Sequence, residues 1–291
     1  MRTISMVFLA CTTLASLRGA VVIGAGYSNP TLISVAPGQI ITFYIEGIGL
    51  GLTSGVSATT LPLPNSLAGI SAIMDFAGGS LKLPVPIISV IPISSCYPGI
   101  SPPNCNGPFI GVTIQIPFGY YNVYDPNTIF LGLIAEPNIL FFENGSLVTT
   151  IHAIPVSDQI HITSMKKASG EIGGPFPPYK AGDTLVFYAT GLKFPNNLVR
   201  SGESPNVPIE APVSISFDWS PNSLGSKPTL TNAVKPAFSG MIPGYAGLYQ
   251  INVVIPVGPK DMYVCRPGET NLTINIAGNS SFDSKAICMI Q

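Results

Sequence analysis

Charge is scarce in this 291-residue chain: 9% of its residues are Asp, Glu, Lys or Arg, where about 25% is usual for a soluble domain. The 13 basic and 14 acidic groups nearly cancel, and no run of like charge occurs. A nucleic-acid surface, which needs clustered Lys and Arg, is excluded, and so is electrostatic attachment to anionic lipid. Histidine is nearly absent, with only His152 and His161, and Trp219 is the single tryptophan. Long uninterrupted apolar helices are missing too. Residues 83 to 124 contain no charge at all, but Pro84, Pro86, Pro92, Pro98, Pro102, Pro103, Pro108 and Pro117 break that stretch. It therefore cannot form the helix of about 20 residues that a bilayer requires.

What is present is apolar and full of turns. With 46% hydrophobic residues the chain is not intrinsically disordered, and its 30 Gly and 29 Pro describe short strands separated by turns. Its length allows two ordinary domains. The first 20 residues have the form of an export signal: Arg2, then the apolar run ISMVFLACTTLASL over residues 4 to 17, then small residues that offer cleavage after Ala15, Gly19 or Ala20. FLAC around Cys11 has the outline of a lipoprotein box behind a very short apolar stretch. Removal of this segment leaves 11 basic and 14 acidic groups.

Four cysteines then remain, Cys96, Cys105, Cys265 and Cys288, an even number with three possible pairings. Proximity favours Cys96 with Cys105 and Cys265 with Cys288. Closing the CYPGISPPNC loop would stabilise the fold by about 2 to 3 kcal/mol in the loop-closure model. A zinc site is disfavoured, because the spacing lacks paired CxxC and neither His is near in sequence.

The chain also repeats itself. GQIITFYIEGI (residues 38 to 48) returns as GDTLVFYATGL (182 to 192), GISAIMDF (69 to 76) as PVSISFDW (212 to 219), and IGVTIQIPFG (110 to 119) as YQINVVIPVG (249 to 258). Three blocks in one order, offset by 144, 143 and 139 residues, imply a tandem β unit. Each block alternates as a half-buried antiparallel strand does. Val213, Ile215, Phe217 and Trp219 fall on one face, as do Ile251, Val253 and Ile255, and Pro256 ends its strand for want of an N–H. Many short strands between turns imply β-sandwiches.

On the segments VVIGAGYSNPTLISVAPGQIITFYIEGIG, KAGDTLVFYATGL and MIPGYAGLYQINVVIP the chain resembles an uncharacterised acidobacterial extracellular domain family, often found at the C-termini of secreted proteins. Its halves are similar to IPT/TIG-type modules. The resemblance covers most of the chain after the signal and implies an all-β fold of two tandem immunoglobulin-like (E-set/IPT-type) β-sandwich domains in an extracellular setting. It brings no catalytic residues. The chain departs from the family in its four cysteines and in the segment NGSLVTTIHAIPVSDQIHITSMKKASGEIG. The expected divisions are 1–20 for the signal, 21–136 for the first sandwich and 137–291 for the second.

Chemical motifs compare poorly with structural readings. GAG in VVIGAGYSN and GIGLGL at residues 47 to 52 lack the following helix that would receive a pyrophosphate. His152 and His161 have no GxSxG nearby. Asp75 and Asp218 hold equivalent places in the two copies, which points to a shared structural role, and Asp183 reads as a turn residue. Asn144, Asn271 and Asn279 open N-x-S/T sequons and are expected as surface polar residues. Tyr120, Tyr121 and Tyr124 follow the strand ending at Pro117. They offer rings for a sugar or a protein partner, or cover between the domains. The expectation is a non-enzymatic structural or interaction module outside the cytoplasm, with no cofactor or metal, binding an extracellular protein through loops or a strand edge. A carbohydrate-binding module using residues 118 to 127 is the alternative.

Overall fold

A computed structural model describes residues 21–25, 33–76, 81–93, 109–119, 137–171, 179–192, 199–263 and 268–290. The described chain is almost entirely β. In order come β1 (Val21–Ala25), β2 (Ile33–Val35), β3 (Ile40–Glu46), β4 (Val56–Ser57), β5 (Ser66–Leu67), β6 (Ile70–Phe76), β7 (Leu81–Val85), β8 (Ile87–Ile93), β9 (Phe109–Gln115), β10 (Asn138–Glu143) and β11 (Ser146–Pro155). They build two sheets, ordered β1-β3-β9-β8-β4 and β2-β11-β10-β6-β5, with β7 also on β6. Then follow β12 (His161–Lys167), β13 (Thr184–Thr190), β14 (Ile209–Glu210), β15 (Ser214–Asp218), β16 (Phe238–Met241), β17 (Tyr249–Val254), β18 (Leu272–Ala277) and β19 (Phe282–Ile287). These form sheets ordered β12-β13-β17-β16-β14 and β15-β18-β19. The fold is of the immunoglobulin-like β-sandwich type.

The repetition holds at the level of single residue pairs. Phe43 pairs with Val112 in the β3–β9 ladder, and Phe187 pairs with Ile251 in β13–β17. Offsets of 144 on one strand and 139 on its neighbour therefore coexist in one register. The β1–β3 ladder has a bulge between Val22 and Gly24, and β12–β13 has one between Ile162 and Ser164. Parallel pairing of Val35 with Pro155 recurs as the bridge between Tyr179 and Met289. The turns that launch the central strands match as well. Ala36 N–H donates to Gln39 Oε1 at 2.9 Å, as Lys180 N–H donates to Asp183 Oδ2 at 2.9 Å. Gly38 (φ +74°) and Gly182 (φ +88°) supply the left-handed step, and their N–H groups reach Ile116 O at 2.8 Å and Ile255 O at 2.9 Å. Asp183 is thus the turn residue expected.

Strand pairing carries the first pair of sheets past residue 137. β10 pairs with β6, Asn138 against Asp75, as β18 pairs with β15, Thr273 against Asp218. β11 then flanks β10 as β19 flanks β18. Residues 138–155 complete the first sandwich because β6 would otherwise lack a partner on that side, and Ile139, Phe141, Ile151 and Ala153 are buried in the first core. The second core begins beyond Val156, with Ile160 and Ile162.

Each set of sheets encloses its own apolar core. The first centres on Phe43, whose ring meets Phe141 edge-on at 5.3 Å, the second on Phe187, Tyr249 and Ile251. Val213, Phe217 and Trp219 pack against the second core, as their alternation requires. β18 is buried at every position because residues 223–226 cover its outer face: Thr273 Oγ1 donates to Ser223 O at 3.0 Å, and Ser226 N–H to Asn275 Oδ1 at 3.0 Å. Replacing Phe43 or Phe187 by Ala should cost about 3 to 5 kcal/mol. Hydrogen exchange will check the separation of the cores: Phe43→Ala should speed exchange in the ladders of its own core and leave those around Phe187 unchanged. Equal acceleration in both would contradict it.

Candidate interaction site at the junction of the repeats

The link between the two cores is tied down along its length. Val156 N–H donates to Val35 O at 2.9 Å in the first repeat, and Gln159 N–H to Gly191 O at 2.8 Å in the second. Between them Asp158 is fully buried. Its carboxylate accepts N–H bonds from Asn279 at 2.6 Å, Ser280 at 3.0 Å and Ser281 at 2.7 Å, and one from Ser281 Oγ at 2.8 Å. These donors all lie on the β18–β19 turn. Burial by itself would raise the Asp158 pKa, but the Ser280, Ser281 and Asn279 donors outweigh it and hold the group below the usual carboxylate range. Asp283 on β19 behaves alike. Burial pushes it up, while His161 and the N–H groups of Ile162 and Ser284, with the charge of Lys285, bring it below its ordinary value.

Close approach of backbones seals the junction. Gly202 N–H donates to the buried Gln115 Oε1 at 2.6 Å, and Gly202 O accepts from Leu63 N–H at 2.8 Å. Gly202 has φ +82°, and a Cβ there would stand 3.2 Å from both N and O of Leu63. Gly247 (φ +70°) approaches the other side, where a Cβ would come within 2.8 Å of Gly38 O. Phe118 N–H donates to Ser201 Oγ at 2.9 Å, and Phe118, three residues beyond the end of β9, joins the second core.

Above these contacts lies an open cleft of about 520 Å³. Thr59, Thr60 and Leu61 line one wall, and Tyr245, Ala246 and Leu248 the other. The second wall is the tip of the β16–β17 hairpin, closed by Ile242 N–H to Leu248 O at 3.1 Å and braced by Gly244 N–H to Ser204 Oγ at 2.6 Å. Tyr245 remains 58% exposed there. Among the described residues, no charged side chain lines the cleft.

The residues singled out from sequence distribute differently. Tyr120, Tyr121 and Tyr124 lie outside the described residues, as do Cys96, Cys105, Cys265 and the signal segment. Cys288 is buried just after β19. His152 on β11 has Nδ1 at 2.9 Å from Asn138 Oδ1, and His161 on β12 has Nδ1 at 3.5 Å from Asp283 Oδ2. The two His, close in sequence, thus sit in different repeats. Asp218 accepts from Ser220 Oγ at 2.9 Å and from Ser223 Oγ, a local turn role. Asp75 does not share it: it lies within β6, opposite Lys82 and Asn138. Asn271 is likewise no surface residue. It is 3% exposed, accepting from Met289 N–H at 2.7 Å and donating to Met289 O at 3.0 Å, which pins the chain after β19. Gly202, Gly247 and Asp158 carry no signal that separates them from ordinary turn residues.

No family model matches the chain, and no curated protein is similar to it. Among solved structures, the crystal structure of the I9-I11 tandem from titin is similar at 10% identity and TM-score 0.22, over 91% of this chain and 66% of that one. Bovine butyrophilin is similar at 12% identity and TM-score 0.22, over 91% and 97%.

Two outcomes follow for the junction. Both carboxylates have lowered pKa values when folded, so they stabilise the fold above the unfolded carboxylate pKa of about 3.9, and that contribution is lost as pH falls through the lower folded values. Urea midpoints should be level above about pH 5 and drop below about pH 4. Asp158→Asn should lower the plateau and flatten the acid limb; an unchanged acid limb would contradict the role assigned to Asp158. Gly202→Val should destabilise the protein by about 1 to 3 kcal/mol through strain and displacement of Leu63, as read from the same titrations.

Proposed function

We propose that the chain is an exported, non-enzymatic structural or interaction module that works outside the cytoplasm as two tandem immunoglobulin-like domains, divided near residues 156–160, and binds a protein partner. The observation that carries this reading is the junction. Backbone contacts through Gly202 and Gly247 and the buried Asp158 fix one repeat against the other. The result is a composite surface that neither sandwich presents alone, and a preformed surface binds without the entropy of ordering two mobile domains. His152 and His161 make strand and sheet contacts, with Asn138 and Asp283.

Export belongs to the same reading and is supported by the arrangement of Arg2 and the apolar run behind it. So do the disulfides Cys96–Cys105 and Cys265–Cys288. Cys288 is 8% exposed and its sulfur is engaged, not free. The similarity of MIPGYAGLYQINVVIP to the acidobacterial extracellular family points the same way.

Mass spectrometry of the protein recovered from the medium or envelope of its own cells should find the N-terminus beyond residue 15 and no free thiol among Cys96, Cys105, Cys265 and Cys288. A cytoplasmic chain beginning at Met1 would overturn export. Ester and glycoside substrates should show no turnover above blank. Binding to a glycan array that vanishes when Tyr120, Tyr121 and Tyr124 are replaced by Ala would replace a protein partner with a polysaccharide.

A further inference from the structure

The internal junction has two halves, and each half has a counterpart that lies bare. On the first repeat the half is a face made by the turn at residues 36–39, before β3, and by residues 115–118, at the end of β9 and beyond. All eight residues are buried, Phe118 to 6%. Gly247 of the second repeat stands over them, where its Cβ would meet Gly38 O and the Gln115 side chain. On the second repeat the same positions are residues 180–183 and 254–257: Thr184 pairs with Val254 as Ile40 pairs with Gln115, and Gly182 N–H reaches Ile255 O as Gly38 N–H reaches Ile116 O. Here the face is open. Lys180, Ala181, Gly182 and Val254 are exposed, and Val257, the counterpart of Phe118, is 82% exposed. A Cβ on Gly38 would collide with the Phe118 ring, whereas one on Gly182 would meet nothing within 4 Å.

The other half of the junction includes Ser201 and Gly202, in the loop that follows β13. In the first repeat the loop that follows β3 holds the corresponding place, since Gly47 (φ +86°) and Gly191 (φ +73°) end the matching strands. It is the shorter loop, GIGLGLTSG at residues 47–55, and carries no charge. Gly49 N–H donates to Glu143 Oε1 at 2.8 Å and Leu52 N–H to Gly49 O at 2.9 Å, which fixes a turn with Leu50 76% exposed.

We propose that a second copy of this chain docks its Leu50 loop on the bare face at residues 180–183 and 254–257, so that copies join head to tail and each contact repeats the internal junction. This rests on the protein-binding reading above and names one partner. The occupant is selected by the chain itself. One of its modules already covers the equivalent face, and the counterpart of the covering loop stands exposed at the far end of the same chain. The chemistry has changed in step on the two sides. Gln115 Oε1 accepts the Gly202 N–H in the internal junction, but Val254 has no side-chain acceptor, and the loop that would meet it offers the apolar Leu50. Burying Val254, Val257 and Leu50 removes apolar surface from water, and the loop brings no charge to desolvate. A contact between two different patches is heterologous, so it builds a filament unless rotation closes a ring.

Sedimentation velocity of the chain recovered from its own cells tests the contact, at concentrations up to about 1 mM, the effective concentration that a short linker provides. The weight-average sedimentation coefficient should rise with concentration above that of the monomer. Val257→Lys and Leu50→Lys should each weaken association at least about tenfold. Leu230→Lys, at a fully exposed position between β15 and β16, should associate as the parent does. All three positions are exposed, so the substitutions spare the fold, and thermal unfolding verifies this. Mixing Val257→Lys with Leu50→Lys restores one intact contact per pair and should give dimers that grow no further. Association of Leu50→Lys at the parent's strength would mean that two bare faces pack on each other, and would overturn the head-to-tail contact. Equal association of all variants would overturn it as well. Monomers at every concentration would do the same, while leaving the protein-binding reading to its own tests above.

Discussion

The period of two along a strand constrains everything else in this molecule. A slip of one residue between β3 and β9 would turn Phe43 and Ile45 to solvent and their polar neighbours inward. Both copies keep the same pairing, Phe43 with Val112 and Phe187 with Ile251, although many of the strand residues around those pairs differ. Loop lengths have drifted, as offsets of 144 and 139 within one ladder record. Registers have not, because each extra loop residue is absorbed outside the sheet, whereas each extra strand residue would invert a face.

That constraint explains which parts of the fold were legible in the sequence. Blocks such as VSISFDW and QINVVIP alternate cleanly, since one face meets the core and the other meets water or a thin cover, and they lie on β15 and β17. The equivalence of VVIGA on β1 with HITSM on β12 is invisible by letters and appears only through a shared bulge. NILFFE and LTINIA on β10 and β18 are related through their pairing and not by letters. Polar letters in LTINIA look like a wet face, but residues 223–226 cover it. Such cover is a long-range fact that no local pattern encodes.

The candidate site was less legible for the same reason. Gly202 and Gly247 have the spacing of ordinary turn glycines, and their importance lies in the Leu63 and Gly38 backbones they approach, far away in sequence. Asp158 sits among polar residues in a segment that reads as a linker. Its role depends on a turn more than 120 residues later. The GYAG hairpin tip lies in a segment quoted only for a family resemblance, and nothing in its letters marks the cleft it lines.

The anchoring of residues 156–160 also governs how the molecule meets an endoprotease. An endoprotease needs several exposed residues that can be drawn out into its active site, and the connection between the sandwiches offers none: its N–H groups are bonded on both sides and its carboxylate is buried under a turn. Cutting at residues 156–160 therefore requires local unfolding first.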